Sequence, residues 1–157
     1  MSCLKLNVRE ASIRDLHDLL ALEQCVIEAE RPYNTSIKAE SAIYYDLEKL
    51  ISCDDAYLLV VEIDNDIIAT GYAQIRHSKM SLEHEHHAYL GFMYVSPYYR
   101  GQGINAKIID VLISWSKEKG VSDMYLDVYA QNDSAIKAYE KMGFQSSLIE
   151  MKLSIKE

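Results

Sequence analysis

The segment from Tyr89 to Trp115, YLGFMYVSPYYRGQGINAKIIDVLISW, constrains the fold more than any other part of the chain. Tyr89 to Val95 is an apolar, aromatic run of the kind that forms a buried strand. Ser96 and Pro97 turn the chain, and Arg100-Gly101-Gln102-Gly103-Ile104-Asn105 follows. Apolar residues then recur at helical spacing through Ile104, Ile108, Ile109, Leu112 and Trp115. A strand, a glycine-bearing loop and a helix in this order can hold phosphates. The first N–H groups of a helix have no partner inside it, and the macrodipole places about half a positive charge there. Gly101 and Gly103 lack Cβ atoms, so a pyrophosphate can approach the backbone, and Arg100 adds a fork of donors at the rim. The dinucleotide pattern G-x-G-x-x-G fails because Asn105 and Ala106 follow Gly103, and no G-x-x-x-x-G-K-[ST] loop is present. On local features alone a second reading stays open, in which the glycines only permit a tight bend.

At 157 residues the chain is expected to form a single domain, 1–157. Its 49% hydrophobic and 25% charged content excludes a disordered chain. Sixteen basic against 24 acidic residues give a net charge of −8, which argues against a nucleic-acid partner and suits a cationic small molecule or amine. Cys3, Cys25 and Cys53 form no C-x-x-C pair and read as free thiols in a reducing cytosol. The polar start MSCLKLNVRE does not suit a signal peptide, and no apolar run approaches the ~20 residues of a membrane helix. A soluble, cytoplasmic protein without a membrane partner is the expectation.

Leu4, Leu6 and Val8 alternate as in a half-buried strand. Ser12 and Asp15 resemble a capping box ahead of a helix whose stripe is Ile13, Leu16, Leu19, Leu20, Glu23, Val26 and Ile27. Arg31-Pro32-Tyr33-Asn34 ends it, and a second helix is expected from Ile37 to about Ile51, capped by Thr35 or Ser36. Ala56–Ile63 and Ile67–Arg76 form a hairpin around Asp64-Asn65-Asp66, and Lys79 to His87 reads as a loop. Gly120 stops the central helix, Met124 to Tyr129 forms a strand, and Asn132 caps a last helix that Gly143 ends. Ile149, Met151, Leu153 and Ile155 alternate as an edge strand would, and such a strand offers an edge for a homodimer. The order β-α-α-β-β-β-α-β-α-β makes an α/β (α+β) fold, with a mixed central sheet flanked by helices and a parallel pair around the glycine loop.

Two segments together resemble the GNAT family of N-acetyltransferases. Arg100-Gly101-Gln102-Gly103-Ile104-Asn105 is similar to the family's R/Q-x-x-G-x-G/A loop, although Asn105 stands where the family prefers Gly or Ala. Leu126-Asp127-Val128-Tyr129-Ala130-Gln131-Asn132, with Ala135, Tyr139, Gly143 and Phe144, is similar to its downstream L-x-V…N…A…Y…GF block. The resemblance, somewhat closer to the ribosomal-protein alanine N-acetyltransferases, implies acetyl transfer from acetyl-CoA to an amine by direct attack, without a metal. It implies that the amides of Met93 and Val95 bind the pantetheine arm and polarise the thioester carbonyl. The backbone of Gln102 to Asn105 would hold the pyrophosphate, with Asn132 adding a cofactor contact beyond its capping role.

The chemistry needs a base and an acid. A lysine-like amine with pKa near 10.4 is mostly protonated at neutral pH, which adds roughly 4.6 kcal/mol to the barrier. A positioned base is worth about 10²–10⁴-fold. By resemblance Tyr139 is the donor to the leaving thiolate and Asp127 the base, while a core tyrosine and a solvated strand acid are the plainer readings. Glu83 and Glu85 are the runner-up bases, and Tyr89 lies close to where many members of the resembling family have a catalytic glutamate. The acceptor groove is expected along the first two helices and their connection, at Glu28, Glu30, Arg31, Tyr33, Tyr44 and Tyr45. His84, His86 and His87 suit a polar loop better than a metal site, and Cys25, on the core stripe with no activating histidine, does not suit a nucleophile. The acceptor is a peptide N-terminus, a polyamine, an aminosugar or another small amine. A non-catalytic acyl-CoA-binding sensor is the alternative, and a nucleotide-phosphate binder is a weaker one.

Overall fold

The computed structural model describes residues 5–156, so Cys3 and Leu4 lie outside the described residues. Contacts within the chain define two compact units, Met1–Leu126 and Asp127–Glu157. The first holds a five-stranded sheet in the order β1 (Asn7–Glu10), β2 (Ala56–Ile63), β3 (Asp66–His77), β4 (His86–Val95) and β5 (Met124–Tyr125). The first four strands are antiparallel, and β4 and β5 run parallel. The turn between β2 and β3 places Asp64 and Asn65 at φ of 50° and 69°, the left-handed conformation these two residue types tolerate best.

The expected capping box at Ser12 caps a 3-10 turn, Ile13–Asp15, which leads into helix α1 (Leu16–Glu30). The Ser12 N–H donates to the Asp15 carboxylate at 2.8 Å, and Arg9 grips both oxygens of Asp15 at 2.8 and 2.9 Å. That guanidinium holds the Asp15 carboxyl below the usual carboxylate range. Leu19, Val26 and Ile27 are buried on one sheet face with Leu47, Leu50, Leu58, Val60, Tyr72 and Phe92, whereas Ile13 and Leu20 of the expected stripe are exposed. On the other face lies α3 (Ile104–Glu118), with Ile104, Ile108, Ile109 and Leu112 fully buried. Gly120 ends α3 at φ 81°.

The second helix departs from expectation: α2 spans only Leu47–Ser52 and is capped by Asp46, not by Thr35 or Ser36. Residues 34–46 are turns and extended backbone, and Ile43 is exposed. Glu23 is the reason. Its carboxylate is buried and accepts the N–H groups of Tyr44 and Tyr45 at 3.3 and 2.9 Å, donors a helix would turn along its axis. Gln24 also donates to the carbonyl of Ala42 at 3.2 Å. The run Ile43-Tyr44-Tyr45 has weak helix propensity, so tertiary anchoring prevails.

The second unit carries α4 (Asp133–Lys141), capped as expected by Asn132, whose Oδ1 accepts from the Ala135 N–H at 3.3 Å. Gly143 follows at φ 101°. Two expectations fail around it. The strand expected from Met124 to Tyr129 stops at Tyr125, and residues 145–156 form no strand. Ile149, Met151, Leu153 and Ile155 are 86–90% exposed. A strand exists only against a neighbour that pairs its N–H and C=O groups, and the described residues of this unit contain none.

Candidate active site

The outer edge of β4 follows from one irregularity. The Ala88 N–H donates toward β5, to the carbonyl of Asp123 at 2.9 Å. The Ser96 N–H donates the other way, to Ile68 of β3 at 2.8 Å. Amides alternate between the two edges of a strand, so these two even-numbered residues should face the same way. Between them the pairing jumps from Tyr72↔Gly91 to Thr70↔Tyr94, a bulge with one extra residue on β4. Phe92 sits in it at φ 53°, held by burial and by stacking on Tyr45 with centroids 4.6 Å apart. Such a conformation costs on the order of 1–3 kcal/mol, which the surrounding packing must sustain. The bulge reverses the parity, so the N–H groups of Met93 and Val95 face outward. They do so past Tyr89, the last β4 residue paired with β5. Among the described residues neither amide has a backbone partner outside the strands, and two such outward donors beyond the β4–β5 pairing can serve as an acceptor site for a carbonyl or amide oxygen.

The glycine loop follows. Gly101 and Gly103 have φ of 77° and 76°, and nothing lies within 4 Å of where a Cβ would project from either. Backbone conformation, not crowding, demands glycine at both, and the open space leaves the α3 N-terminus accessible. Gly103 is the N-cap residue of α3. Arg100 fastens the loop: its Nε donates to the Val95 carbonyl at 3.0 Å and its guanidinium lies 5.8 Å from the centre of the Tyr94 ring. Gln102 is exposed and Ile104 is buried, so only the backbone of Ile104 is available to a ligand. The Oδ1 atom of Asn105 is buried without a hydrogen-bond partner.

A recess of about 210 Å³ opens on the α1–α2 side of the sheet, lined by Tyr44, Tyr45, Asp46, Lys49, Leu50, Tyr72, Gln74 and Arg76. Tyr45 meets Tyr44 and Tyr72 edge-on at 5.7 and 5.8 Å. Gly91 makes this packing possible, because a Cβ there would lie 2.5 Å from the Tyr72 ring. Burial, reinforced by Glu30 and the neighbouring tyrosines, raises the Tyr45 hydroxyl far above its ordinary pKa. Burial likewise raises Glu30, with the Tyr44 hydroxyl opposing. Of the residues expected in an acceptor groove, Tyr44 and Tyr45 line this recess. Arg31 is committed elsewhere, to Glu28 at 2.9 Å and to the carbonyls of Lys38 and Ala39 at 2.9 and 3.3 Å. Sequence reasoning missed Tyr72, Gln74 and Arg76. Their alternate spacing on one strand, opposite a glycine in the next, was the available signal.

In the second unit Asp127 is exposed on irregular backbone after Leu126. Tyr139 is half-buried on α4, its ring edge-on to Phe144 at 5.8 Å. Glu83 is exposed in the loop before β4. Glu85 lines a separate cavity of about 490 Å³ with His84, His86, Lys119 and Asp123, and Tyr89 lies under Arg76. His86 and His87 belong to β4 rather than to a loop. The Ser78 hydroxyl joins His84 Nδ1 at 2.7 Å and His87 Nδ1 at 2.9 Å, and burial lowers the His87 pKa. Cys25, expected on the core stripe, is exposed, and burial, followed by the influence of Cys25, raises the pKa of Tyr94.

The profile of the acetyltransferase (GNAT) family matches residues 22–144. Over 57 residues, 36% of this chain and 34% of the relative, the sequence is 42% identical to thialysine N-epsilon-acetyltransferase of Bos taurus. Over 55 residues, 35% of this chain and 37% of the relative, it is 36% identical to the ribosomal protein bS18 alanine N-acetyltransferase of Escherichia coli K12. The chain thus spans about a third of the length of these curated relatives. A predicted acetyltransferase from Clostridium acetobutylicum, solved with acetyl-CoA, superposes with a TM-score of 0.75 at 20% identity, over 96% of this chain and 97% of that one.

Proposed function

Because the chain belongs to the GNAT acetyltransferase family, we propose that it moves an acetyl group from acetyl-CoA to a primary amine by direct attack. The observation that carries this reading is the pair of outward amides at Met93 and Val95, created by the Phe92 bulge beside an open glycine loop. Acetyl-CoA supplies the activated acyl group. The residues present suit it: the N–H groups of Gln102, Gly103, Ile104 and Asn105 at the α3 N-terminus can take the pyrophosphate, and among the described residues nothing lies within 4 Å of where a Cβ would project from Gly101 or Gly103. The Met93 and Val95 amides can hold the pantetheine arm and polarise the thioester oxygen.

Tyr139 is the proposed proton donor to the departing thiolate and Asp127 the proposed base, directly or through a water. Asn132 caps α4 and is offered as a cofactor contact. The acceptor enters by the tyrosine-lined recess. Steady-state kinetics with an amine panel test these roles. Tyr139→Phe should lower kcat by 10-fold or more while leaving acetyl-CoA affinity unchanged, and Asp127→Asn should flatten the pH–rate profile. Wild-type kcat in the first variant, or a wild-type profile in the second, removes that residue from the mechanism. Binding of acetyl-CoA without turnover of any amine would favour the sensor reading.

A further inference from the structure

The proposed acceptor recess has a polarity that the overall charge conceals. The chain carries a net charge of −8, yet the rim of this recess holds two cations, Arg76 and Lys49. Among the described residues no ion pair includes either of them. The one carboxylate on the rim, Asp46, already caps α2 by accepting the Lys49 N–H at 3.2 Å. Arg76 is also pre-set. Its guanidinium carbon lies 3.9 Å from the centre of the Tyr89 ring, and its Nε donates to Gln74 Oε1 at 3.0 Å. A guanidinium stacked on a ring and tied at Nε keeps its two terminal nitrogens in a plane, the geometry that receives a carboxylate in bidentate fashion. Beside these cations the wall of the recess is formed by Tyr44, Tyr45 and Tyr72.

Resting on the acetyltransferase reading, we infer that the acceptor carries an acidic group, which Arg76 receives with the help of Lys49, while its aliphatic chain crosses the tyrosines to the reacting end. An ω-amino acid, or an amino acid with an amine-bearing side chain, carries both groups on one aliphatic chain. A simple diamine would meet the cationic rim with the wrong charge.

Matched acceptors test this: 6-aminohexanoate against hexylamine, which lacks only the acid. Wild-type protein should show at least a 10-fold higher kcat/KM for 6-aminohexanoate. Arg76→Gln, an exposed substitution, should raise KM for 6-aminohexanoate at least 10-fold, leave its kcat within twofold and change KM for hexylamine far less. Lys49→Gln should act in the same direction more weakly. Equal use of both acceptors, or equal losses for both in Arg76→Gln, overturns the acidic-group site and leaves the transferase reading standing. If neither amine is acetylated while acetyl-CoA binds, calorimetric titration of 6-aminohexanoate decides the site independently of the transferase reading. Binding that Arg76→Gln abolishes upholds it, and no binding to the wild type overturns it.

Discussion

Single atoms in this protein separate positions that serve folding from positions that serve a ligand. Asn105 occupies the first turn of α3 with its Oδ1 buried and unpartnered, a state that costs about 1–3 kcal/mol. The proposed phosphate site uses backbone N–H groups, so this side chain should be dispensable to it. Asn105→Ala should therefore raise stability by about 1 kcal/mol, moving Tm up by roughly 2–4 °C, with acetyl-CoA affinity unchanged. A lowered Tm in a thermal melt would mean that the amide is in fact satisfied. Phe92 has the reverse character: a bulky residue kept at φ 53°, where its strain turns two amides toward the outer edge. Nothing in its chemical type announces that role. A left-handed phenylalanine inside a strand is a consequence of register, and register depends on both partners of a ladder.

The elements differ in how far they could be read from the chain. β2, β3, α1, α3 and α4 follow from local periodicity, capping residues and glycine punctuation, and they stand within a few residues of expectation. The glycine loop was legible because its conformation is a local demand on two residues. The segment 34–46 was not, because its structure is imposed by Glu23, some twenty positions away. A buried glutamate on an otherwise apolar stripe was the clue, since such a group must find donors. Glu23→Ala should cost about 3 kcal/mol, seen as a lower urea midpoint, by leaving the Tyr44 and Tyr45 amides unpaired. It should also raise the acceptor KM through the recess those tyrosines line, without changing acetyl-CoA binding. A midpoint within experimental error of wild type would show that this carboxylate does not organise the segment. The recess itself was half legible. Tyr44 and Tyr45 were expected in the groove as part of the second helix, but Tyr72, Gln74 and Arg76 enter only once β3 is laid beside β4.

Across the whole molecule, the sheet of the first unit divides labour by position. One face carries α1, α2 and the tyrosine recess, the other carries α3, and the outer edge of β4 carries the two outward amides. The long acidic balance of the chain does not oppose a polyanionic co-substrate at close range. At physiological ionic strength charges are screened beyond about 8 Å, so the local donors of the α3 N-terminus decide the outcome. All of the proposed chemistry depends on that site binding acetyl-CoA. Calorimetric titration of the purified protein with acetyl-CoA, with ADP as competitor, measures this directly. Micromolar affinity for acetyl-CoA and much weaker displacement by ADP are the predicted result, because the Met93 and Val95 amides add an arm that ADP cannot reach. An absence of binding at millimolar acetyl-CoA would contradict the assignment of the glycine loop and the β4 edge, and with it the proposed activity.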